Sequence, residues 1–317
     1  CPKKLLFRCS SWSRCGEADG CHAQPSLLLR SACAMWLSNA DANSTWELRL
    51  LGWVLVLVLG ACVGSFLNVV VYRLPRGLSL LYPGSHCPHC KTPLGPTENI
   101  PILGWFLLRG RCRHCGARIS WRYPAVEALT LGLFGLSIAI LGFSPRGILT
   151  CVLLGWLLAL ALVDLDTFLL PEELTRSGLV AGLVARLALP WLEGSGSLAA
   201  MGLSLVAGIA GAVLGIWLLE GIGFVARWVL QREAMGGGDG KLLALIGMWL
   251  GWQGVVVTLL LGSGFGLLGS LLAMTKGKAR LGKPIPFGPY LALGGAVAAL
   301  AGSPLMEAYL HWSGLLG

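Results

Sequence analysis

A succession of long apolar segments, separated by polar loops, restricts this chain to few possible folds. The first segment, residues 50–72, exceeds the roughly 20 residues that a helix needs to cross a bilayer. Backbone amides in hydrocarbon must find their hydrogen bonds within the segment, so such segments fold as helices. The sequence therefore predicts an all-α polytopic membrane protein with about eight transmembrane helices, at residues 50–72, 123–142, 148–164, 174–192, 198–228, 240–250, 254–274 and 287–302.

Two of these segments depart from the ordinary length of a span. Residues 240–250 are too few to cross and are interpreted as a buried half-span, whereas residues 198–228 are expected to extend beyond the bilayer near Arg227 and Arg232. Composition agrees with a membrane protein, because only 12% of the residues are charged, against roughly 25% in soluble domains. The 45 glycines suit helices that pack closely in lipid.

The distribution of charge predicts the orientation. The loop at residues 73–122 carries eight Arg or Lys residues and one acid, Glu98, and the loop at residues 275–286 carries four basic residues and no acid. Both loops are expected on the cytoplasmic side by the positive-inside rule. An eight-span path then places both termini outside. Because the basic residues collect in such loops, the net charge of +9 does not indicate a nucleic-acid partner.

The first basic loop contains two Cys-x-x-Cys pairs, Cys87–Cys90 and Cys112–Cys115, with 21 residues between the pairs. Four thiolates on two such turns match a tetrahedral Zn²⁺ site of the structural kind. Disulfides or a redox motif are the alternatives, and the reducing cytoplasmic side argues against disulfides. The sequence therefore predicts a small cytoplasmic zinc-binding loop domain that is held folded by its metal.

Two acids stand at the ends of apolar segments. Asp164 closes the run that ends at residue 163, and Asp239 lies in a glycine-rich turn, Gly236-Gly237-Gly238-Asp239-Gly240, just before another. A flexible turn with a capping aspartate is the alternative for Asp239. Acids at the edge of a membrane segment are nevertheless functional candidates, and two carboxylates can share a proton as aspartic proteases require. Asp166 competes with Asp164 for this role.

Other acids within the apolar runs leave their roles open. Glu127 and Glu220 either pair with an intramembrane arginine such as Arg186 or help to hold the site. The sequence alone does not choose between these interpretations.

The positions of these acids resemble the two motifs of the GxGD-type intramembrane aspartyl proteases, specifically the type IV prepilin leader peptidases. Asp164 lies seven residues before Pro171, and Gly236–Asp239 fits the Gly-x-Gly-Asp turn. The stretch GSFLNVVVYRLP at residues 64–75 is similar to the family's opening signature. The segments at residues 99–112, 122–127 and 276–290 also look like the family, so that the resemblance covers residues 50–302.

The resemblance implies a function. Asp164 and Asp239 would be the catalytic pair, with one as general base and the other as acid toward a bound water. The substrates would be type IV prepilins or pseudopilins, cleaved at the cytoplasmic face of the bacterial inner membrane. The enzyme would also methylate the new N-terminus with S-adenosylmethionine as donor. No glycine-rich Rossmann motif is visible, so methylation rests on resemblance alone and the donor-binding residues remain open.

These interpretations predict a domain organisation. Residues 1–49 are an N-terminal extension, for which a non-native origin, with Met35 as the native start, is favoured over an extracellular disulfide region. Residues 50–72 form the first transmembrane helix, residues 73–122 the zinc domain and residues 123–317 the polytopic protease domain. A proton-coupled transporter and a non-catalytic, zinc-bearing secretion scaffold are the alternative functions.

Overall fold

The structure is a computed structural model, and it describes residues 27–194, 196–231, 236–275 and 286–312. Two units are distinguished, Cys1–Leu55 and Val56–Gly317. All of the packing and both of the sites below belong to the second unit. Arg232, most of the basic loop at residues 275–286 and residues 1–26 of the predicted extension lie outside the described residues.

The described chain is built from helices. A short 3₁₀ turn, Leu74–Arg76, follows the first helix, and the only β-type pairing among the described residues consists of two isolated bridges in the loop after it. The α-helices are α1 (Leu27–Arg73), α2 (Leu103–Leu107), α3 (Arg122–Leu141), α4 (Pro145–Thr167), α5 (Glu172–Leu192), α6 (Leu198–Leu230), α7 (Gly237–Thr275) and α8 (Gly288–Trp312).

Each predicted apolar segment coincides with one of these helices or with part of one. Within the described chain, five helical segments are long and apolar enough to cross a membrane, and Gly288–Gly302 is a shorter apolar helix. The prediction of an all-α polytopic membrane protein is therefore confirmed. The helix containing the first predicted span begins well before residue 50, at Leu27. At 33 residues, α6 is about 50 Å long and exceeds the roughly 30 Å of a hydrocarbon core, as expected.

The predicted segments 240–250 and 254–274 correspond to two helices, together labelled α7, that meet in a kink at Gly251. The backbone of Gly251 has φ of 79° and ψ of −176°, a conformation that glycine adopts at little cost. The part of α7 before the bend is about 21 Å long, too short to cross alone. Its side chains Leu242, Leu243 and Ile246 are fully buried, which agrees with the interpretation of a buried half-span.

The core lies around this first part of α7. It combines buried apolar side chains of α4, α6, α7 and α8, among them Leu157, Leu160, Leu219, Leu245 and Leu291. Lipid tails are as apolar as leucine, so tight packing stabilises such a bundle more than the hydrophobic effect does. Small residues permit that packing: a Cβ on Gly215 of α6 would lie only 2.8 Å from the backbone of Leu243 in α7.

Candidate active site and metal centre

Asp164 lies in the last turn of α4. The helix ends where Phe168 adopts a left-handed conformation (φ 56°, ψ 22°) and its amide donates to the Asp164 carbonyl over 2.9 Å. The Thr167 hydroxyl donates to the carbonyl of Val163 over 2.9 Å and satisfies another carbonyl of this turn. The Asp164 side chain is directed into the protein, with 6% of its surface exposed. An acid that the sequence places at a helix end is thus buried there.

Asp239 lies in the first turn of α7 and is also buried, with 9% of its surface exposed. The helix already begins at Gly237, so the glycine-rich stretch is partly helical rather than a loop throughout. A carboxylate in the first turn of a helix is favoured by the unpaired amides and the dipole of that end. Side chains added at Gly236, Gly237 or Gly240 would meet open space, whereas one at Gly238 would lie 3.0 Å from Leu170.

The structure brings the two aspartates into one site. The charge of Asp164 acts on the carboxyl group of Asp239, although the residues belong to different helices. The start of α8 closes the site from another side, because a Cβ added to Gly288 would lie 2.5 Å from Asp164 Oδ2. That buried oxygen has no hydrogen-bond partner among the described residues. A buried acceptor of this kind is suited to a water or substrate group that a catalytic site would hold.

The cysteine loop is built as two turns of the same geometry. In the first, the Cys87 amide donates to the Thr92 carbonyl and the Lys91 amide to the Cys87 carbonyl. The second repeats both hydrogen bonds 25 positions later, from Cys112 to Ala117 and from Gly116 to Cys112. The isolated bridges, His86 with Pro93 and Arg111 with Arg118, have the same offset. The two Cys-x-x-Cys pairs therefore lie in structurally equivalent turns.

The four cysteine sulfurs form one compact cluster. Their Sγ atoms all lie within 4.8 Å of one another, with Cys87 to Cys115 at 3.8 Å and Cys90 to Cys112 at 3.9 Å. A disulfide needs sulfurs about 2.05 Å apart, so the alternative of disulfides does not describe this arrangement. Sulfurs at about 2.3 Å from a central ion in a tetrahedron are separated by about 3.8 Å, so the cluster can hold a metal ion.

Hydrogen bonds at two of these thiols favour the thiolate form that a metal binds. Hydrogen bonds from the side chain and backbone of Thr92 lower the pKa of the Cys90 thiol to about 6. Backbone hydrogen bonds from Cys115 and His114 lower the pKa of the Cys112 thiol. At a third thiol, Cys115, a hydrogen bond from the Ala117 backbone lowers the pKa, but burial and the neighbouring cysteines outweigh it and raise the pKa to about 11. No histidine of the described residues joins the cluster.

Comparisons with known proteins find two family matches in different parts of the chain. Residues 58–141 match the family described as Bacterial Peptidase A24 N-terminal domain, and residues 151–271 match the Type IV leader peptidase family. A prepilin leader peptidase/N-methyltransferase of Aeromonas hydrophila is 39% identical over 281 residues, which cover 81% of this chain and 93% of that protein. The chain belongs to the type IV leader peptidase family.

Two further relatives carry the same name. The protein of Stutzerimonas stutzeri is 39% identical over 82% of this chain and 94% of its own length, and that of Pseudomonas aeruginosa is 37% identical over 81% and 93%. No solved structure matches the chain. The family predicted from the two aspartate motifs is therefore confirmed. The first family match contains all four cysteines, and the second contains both aspartates.

Asp166, the predicted competitor of Asp164 in this family member, is engaged elsewhere. Its carboxylate accepts two hydrogen bonds from the Arg122 guanidinium, at 2.8 and 2.7 Å, and is partly exposed. Glu172, at the start of α5, likewise pairs with Lys241 at 3.4 Å and with Arg176 at 3.1 Å. The Arg122–Asp166 pair connects α3 to α4, which carries Asp164, and the Glu172–Lys241 pair connects α5 to α7, which carries Asp239.

Two of the charged residues within the apolar helices make hydrogen bonds to backbone groups that the sequence did not predict. Arg186 of α5 pairs with neither Glu127 nor Glu220; its Nε donates to the Met248 carbonyl over 3.1 Å, beside the bend of α7. Glu127 of α3 is buried and accepts a 2.6 Å hydrogen bond from the amide of Ile102. Glu220 is exposed. Asn68 of the opening signature donates to the Tyr123 carbonyl over 3.2 Å and so joins α1 to α3.

Sequence reasoning missed the part that Gly288 plays. It falls in a segment that resembles the family, but only the packing of α8 on α4 reveals that its missing side chain makes room for Asp164. The proline residues that flank the segment signal a fixed entry into α8, and no local pattern identifies the neighbour.

Proposed function

We propose that this chain removes the leader peptide of type IV prepilins or pseudopilins by aspartic-protease chemistry and methylates the new N-terminus. The observation that carries the proposal is the pair of buried aspartates, Asp164 and Asp239, which belong to different helices and lie near enough for the charge of Asp164 to act on Asp239. Relatives covering most of the chain are named for both activities.

In this proposal Asp164 and Asp239 hold a water between them. One carboxylate takes a proton from the water as it attacks the scissile carbonyl, and the other, protonated, donates a hydrogen bond to the carbonyl oxygen. The unpartnered Oδ2 of Asp164 supplies a free acceptor for that water. Open space beside Gly236 and Gly237 gives an extended substrate backbone access to Asp239.

The loop at residues 73–122 would be a structural zinc domain. Cys87, Cys90, Cys112 and Cys115 would be the ligands, and four thiolates leave no open position for a reacting water. A bound Zn²⁺ would stabilise the fold of a segment that, among its described residues, has few buried apolar side chains. Residues 123–317 would form the protease domain, preceded by the first transmembrane helix at residues 50–72.

The protein would lie in the bacterial inner membrane, with both sites on the cytoplasmic side. Support comes from the positive-inside rule applied to the basic loop at residues 73–122. The start of α3, which follows that loop, is paired with the end of α4 through Arg122 and Asp166, so Asp164 lies at the same membrane face as the loop.

The second activity uses S-adenosylmethionine, which supplies an electrophilic methyl group. An N–C bond forms to the new terminal amine, the S–C bond of the donor breaks, and the proton of the amine passes to solvent. This chain must hold the donor beside that amine.

The experiment is incubation of membranes containing the full chain with a purified prepilin, followed by mass spectrometry of the pilin. Loss of the leader mass, and a further gain of one methyl group when S-adenosylmethionine is added, are expected. A transporter or a non-catalytic scaffold would leave the prepilin mass unchanged, and that result would contradict the proposal.

A further inference from the structure

A cavity of about 360 Å³ lies between α1 and the loop that follows it, and the peptidase chemistry does not use it. Two of the stretches that resemble the family meet there: the signature at residues 64–75 and the segment from Asn99 to Pro101. The wall from α1 consists of Cys62, Ser65, Phe66, Val69 and Arg73, and the wall from the loop consists of Leu80, Leu81, Pro83, Gly84, Ser85, Asn99 and Pro101.

The α1 wall is a single stripe of the helix. Its residues recur at intervals of three and four, and from Cys62 to Arg73 they extend about 16 Å along the axis. The loop therefore lies alongside a segment that is apolar enough to cross a membrane. Irregular backbone at such a depth is tolerated where it is buried in protein or lines a polar cavity.

Arg73 is the charged group of this cavity. It is buried, with 8% of its surface exposed, and it makes no ion pair with any acid of the described chain. Its guanidinium donates to the carbonyls of Ser79, at 3.0 Å, and Gly84, at 3.4 Å. A guanidinium has five N–H donors, so some are left for a ligand. A buried cation without a carboxylate favours an anionic group in the space beside it.

The rest of the lining suits a ligand that is partly apolar. Phe66 supplies an aromatic ring, and Leu80, Leu81 and Pro83 supply apolar surface against which a planar base can pack. An aromatic ring also attracts a cation. Ser65, Ser85 and Asn99 add hydroxyl and amide groups that can fix the ligand's orientation.

The third stretch that resembles the family, at residues 122–127, holds the cavity in shape. Glu127 of α3 accepts the 2.6 Å hydrogen bond from Ile102, next to Pro101 of the lining, and Ser65 lies beside the same carboxyl group. A Cβ added at Gly64 would lie 2.7 Å from the Glu127 backbone, so α1 and α3 are in direct contact here. The cavity is therefore formed before a ligand enters.

We propose that this cavity binds the methyl donor, an adenosyl sulfonium amino acid, with its carboxylate beside the Arg73 guanidinium and the face of its planar base against the Phe66 and Leu80–Leu81 wall. The proposal rests on the methyltransferase part of the proposed function. It assigns the methyl donor to the region before residue 141, separate from the aspartates.

A second cavity on the same loop gives a matched comparison. It measures about 380 Å³ and is lined by Thr97, Glu98, Leu107, Leu108, Arg111, Cys112 and Arg113. It lacks a buried, unpaired cation and an aromatic side chain in its lining, and it adjoins a candidate metal ligand. Thr97→Leu enlarges a residue that lines this second cavity, and Gly84→Leu enlarges one that lines the first, at a position where an added Cβ meets no neighbouring atom.

The experiment measures binding of radiolabelled S-adenosylmethionine to the purified full chain in nanodiscs by equilibrium dialysis. We expect Gly84→Leu and Phe66→Ala to weaken binding by about tenfold or more, and Thr97→Leu to change it by less than about twofold. Metal content and thermal unfolding temperature, matched to those of the unsubstituted chain, establish that each variant is folded.

The outcomes separate this proposal from the proposed function. If the unsubstituted chain binds and transfers methyl groups while Gly84→Leu and Phe66→Ala retain full binding, the donor site is elsewhere and the cavity assignment is wrong. Loss of binding in Thr97→Leu alone would assign the donor to the second cavity. If the unsubstituted chain removes leaders but neither binds the donor nor methylates, the methyltransferase and the cavity assignment fail together and the peptidase stands.

Discussion

The cysteine loop and the aspartate-bearing bundle are stabilised in opposite ways. Across residues 73–122, few described side chains are buried, and those include Cys87 and Cys112, two of the four clustered thiols. Around Asp164 and Asp239, by contrast, fully buried leucines of four helices form the core. The two turns of the loop converge on a cysteine cluster that can hold a metal, whereas the bundle is organised by contacts among its own helices.

This difference indicates how each region can be perturbed. Replacing one cysteine of the loop disrupts the four-thiol cluster that its two equivalent turns form together. In the bundle, an added methyl group beside a catalytic carboxylate is expected to displace that carboxylate while the helices remain folded.

Asp164→Asn and Asp239→Asn should each lower the rate of leader cleavage by roughly 10³-fold or more, because a pair that shares one proton fails when either member cannot ionise. The measurement is the mass of a prepilin after incubation with the purified variant. Methylation of a pilin supplied without its leader should persist. Asp166→Asn is the matched control, since its carboxylate is bound to Arg122. Normal cleavage by either of the first two variants would refute the assignment of the pair.

Cys112→Ser should remove the metal and open the loop. We expect about one zinc per unsubstituted chain and a large loss in the variant, since four thiolates are needed to complete the tetrahedron. Elemental analysis measures the metal, and limited proteolysis measures the loop. Cys151→Ser is the control, because this cysteine is equally buried but lies in α4. Methylation should fall more than cleavage, and equal loss of both activities would mean that the two regions are not separable.

Gly288→Ala should lower cleavage by about 10²-fold, because the added methyl group requires the Asp164 carboxyl to move. Gly237→Ala is the control: it adds the same group within the Gly-x-Gly-Asp turn, where a side chain meets open space. Both variants should retain their zinc. If Gly237→Ala were the more damaging change, the space beside Asp239 would matter more than the contact between α8 and Asp164.

These contacts also show what the sequence could and could not predict. The helices follow from the length of each apolar segment, and the family follows from the spacing of Asp164, Pro171 and the glycine turn. The equivalence of the cysteine turns follows from two identical local spacings. The contact of Gly288 with Asp164 and the anchoring of α7 by Arg186 depend on which helices pack together, and local patterns do not encode this.

Arg186→Met should destabilise the bundle by about 2 kcal/mol, since a partly buried carbonyl at the kink of α7 loses a charged hydrogen-bond donor. A cation beside the C-terminal end of a helix segment is also favoured by its dipole. The measurement is the unfolding temperature of the purified chain. Arg176→Met, on the same helix but exposed, should leave it nearly unchanged. No difference between the two variants would mean that water satisfies the Met248 carbonyl.

The ion pair of Arg122 with Asp166 should give the smallest effect, although it joins the region that contains the cysteines to the region that contains the aspartates. Its two hydrogen bonds are short, but both side chains are partly exposed, and such pairs contribute about 0.2–1 kcal/mol. A double-mutant cycle on unfolding with Arg122→Ala and Asp166→Ala measures this coupling, which should weaken at high salt because exposed charges are screened. A coupling well above this range would mean that the loop and the bundle stabilise one another and are not independent regions. A coupling within this range would mean that the loop and the bundle are stabilised independently. The cysteine and aspartate variants should then lose methylation and cleavage separately.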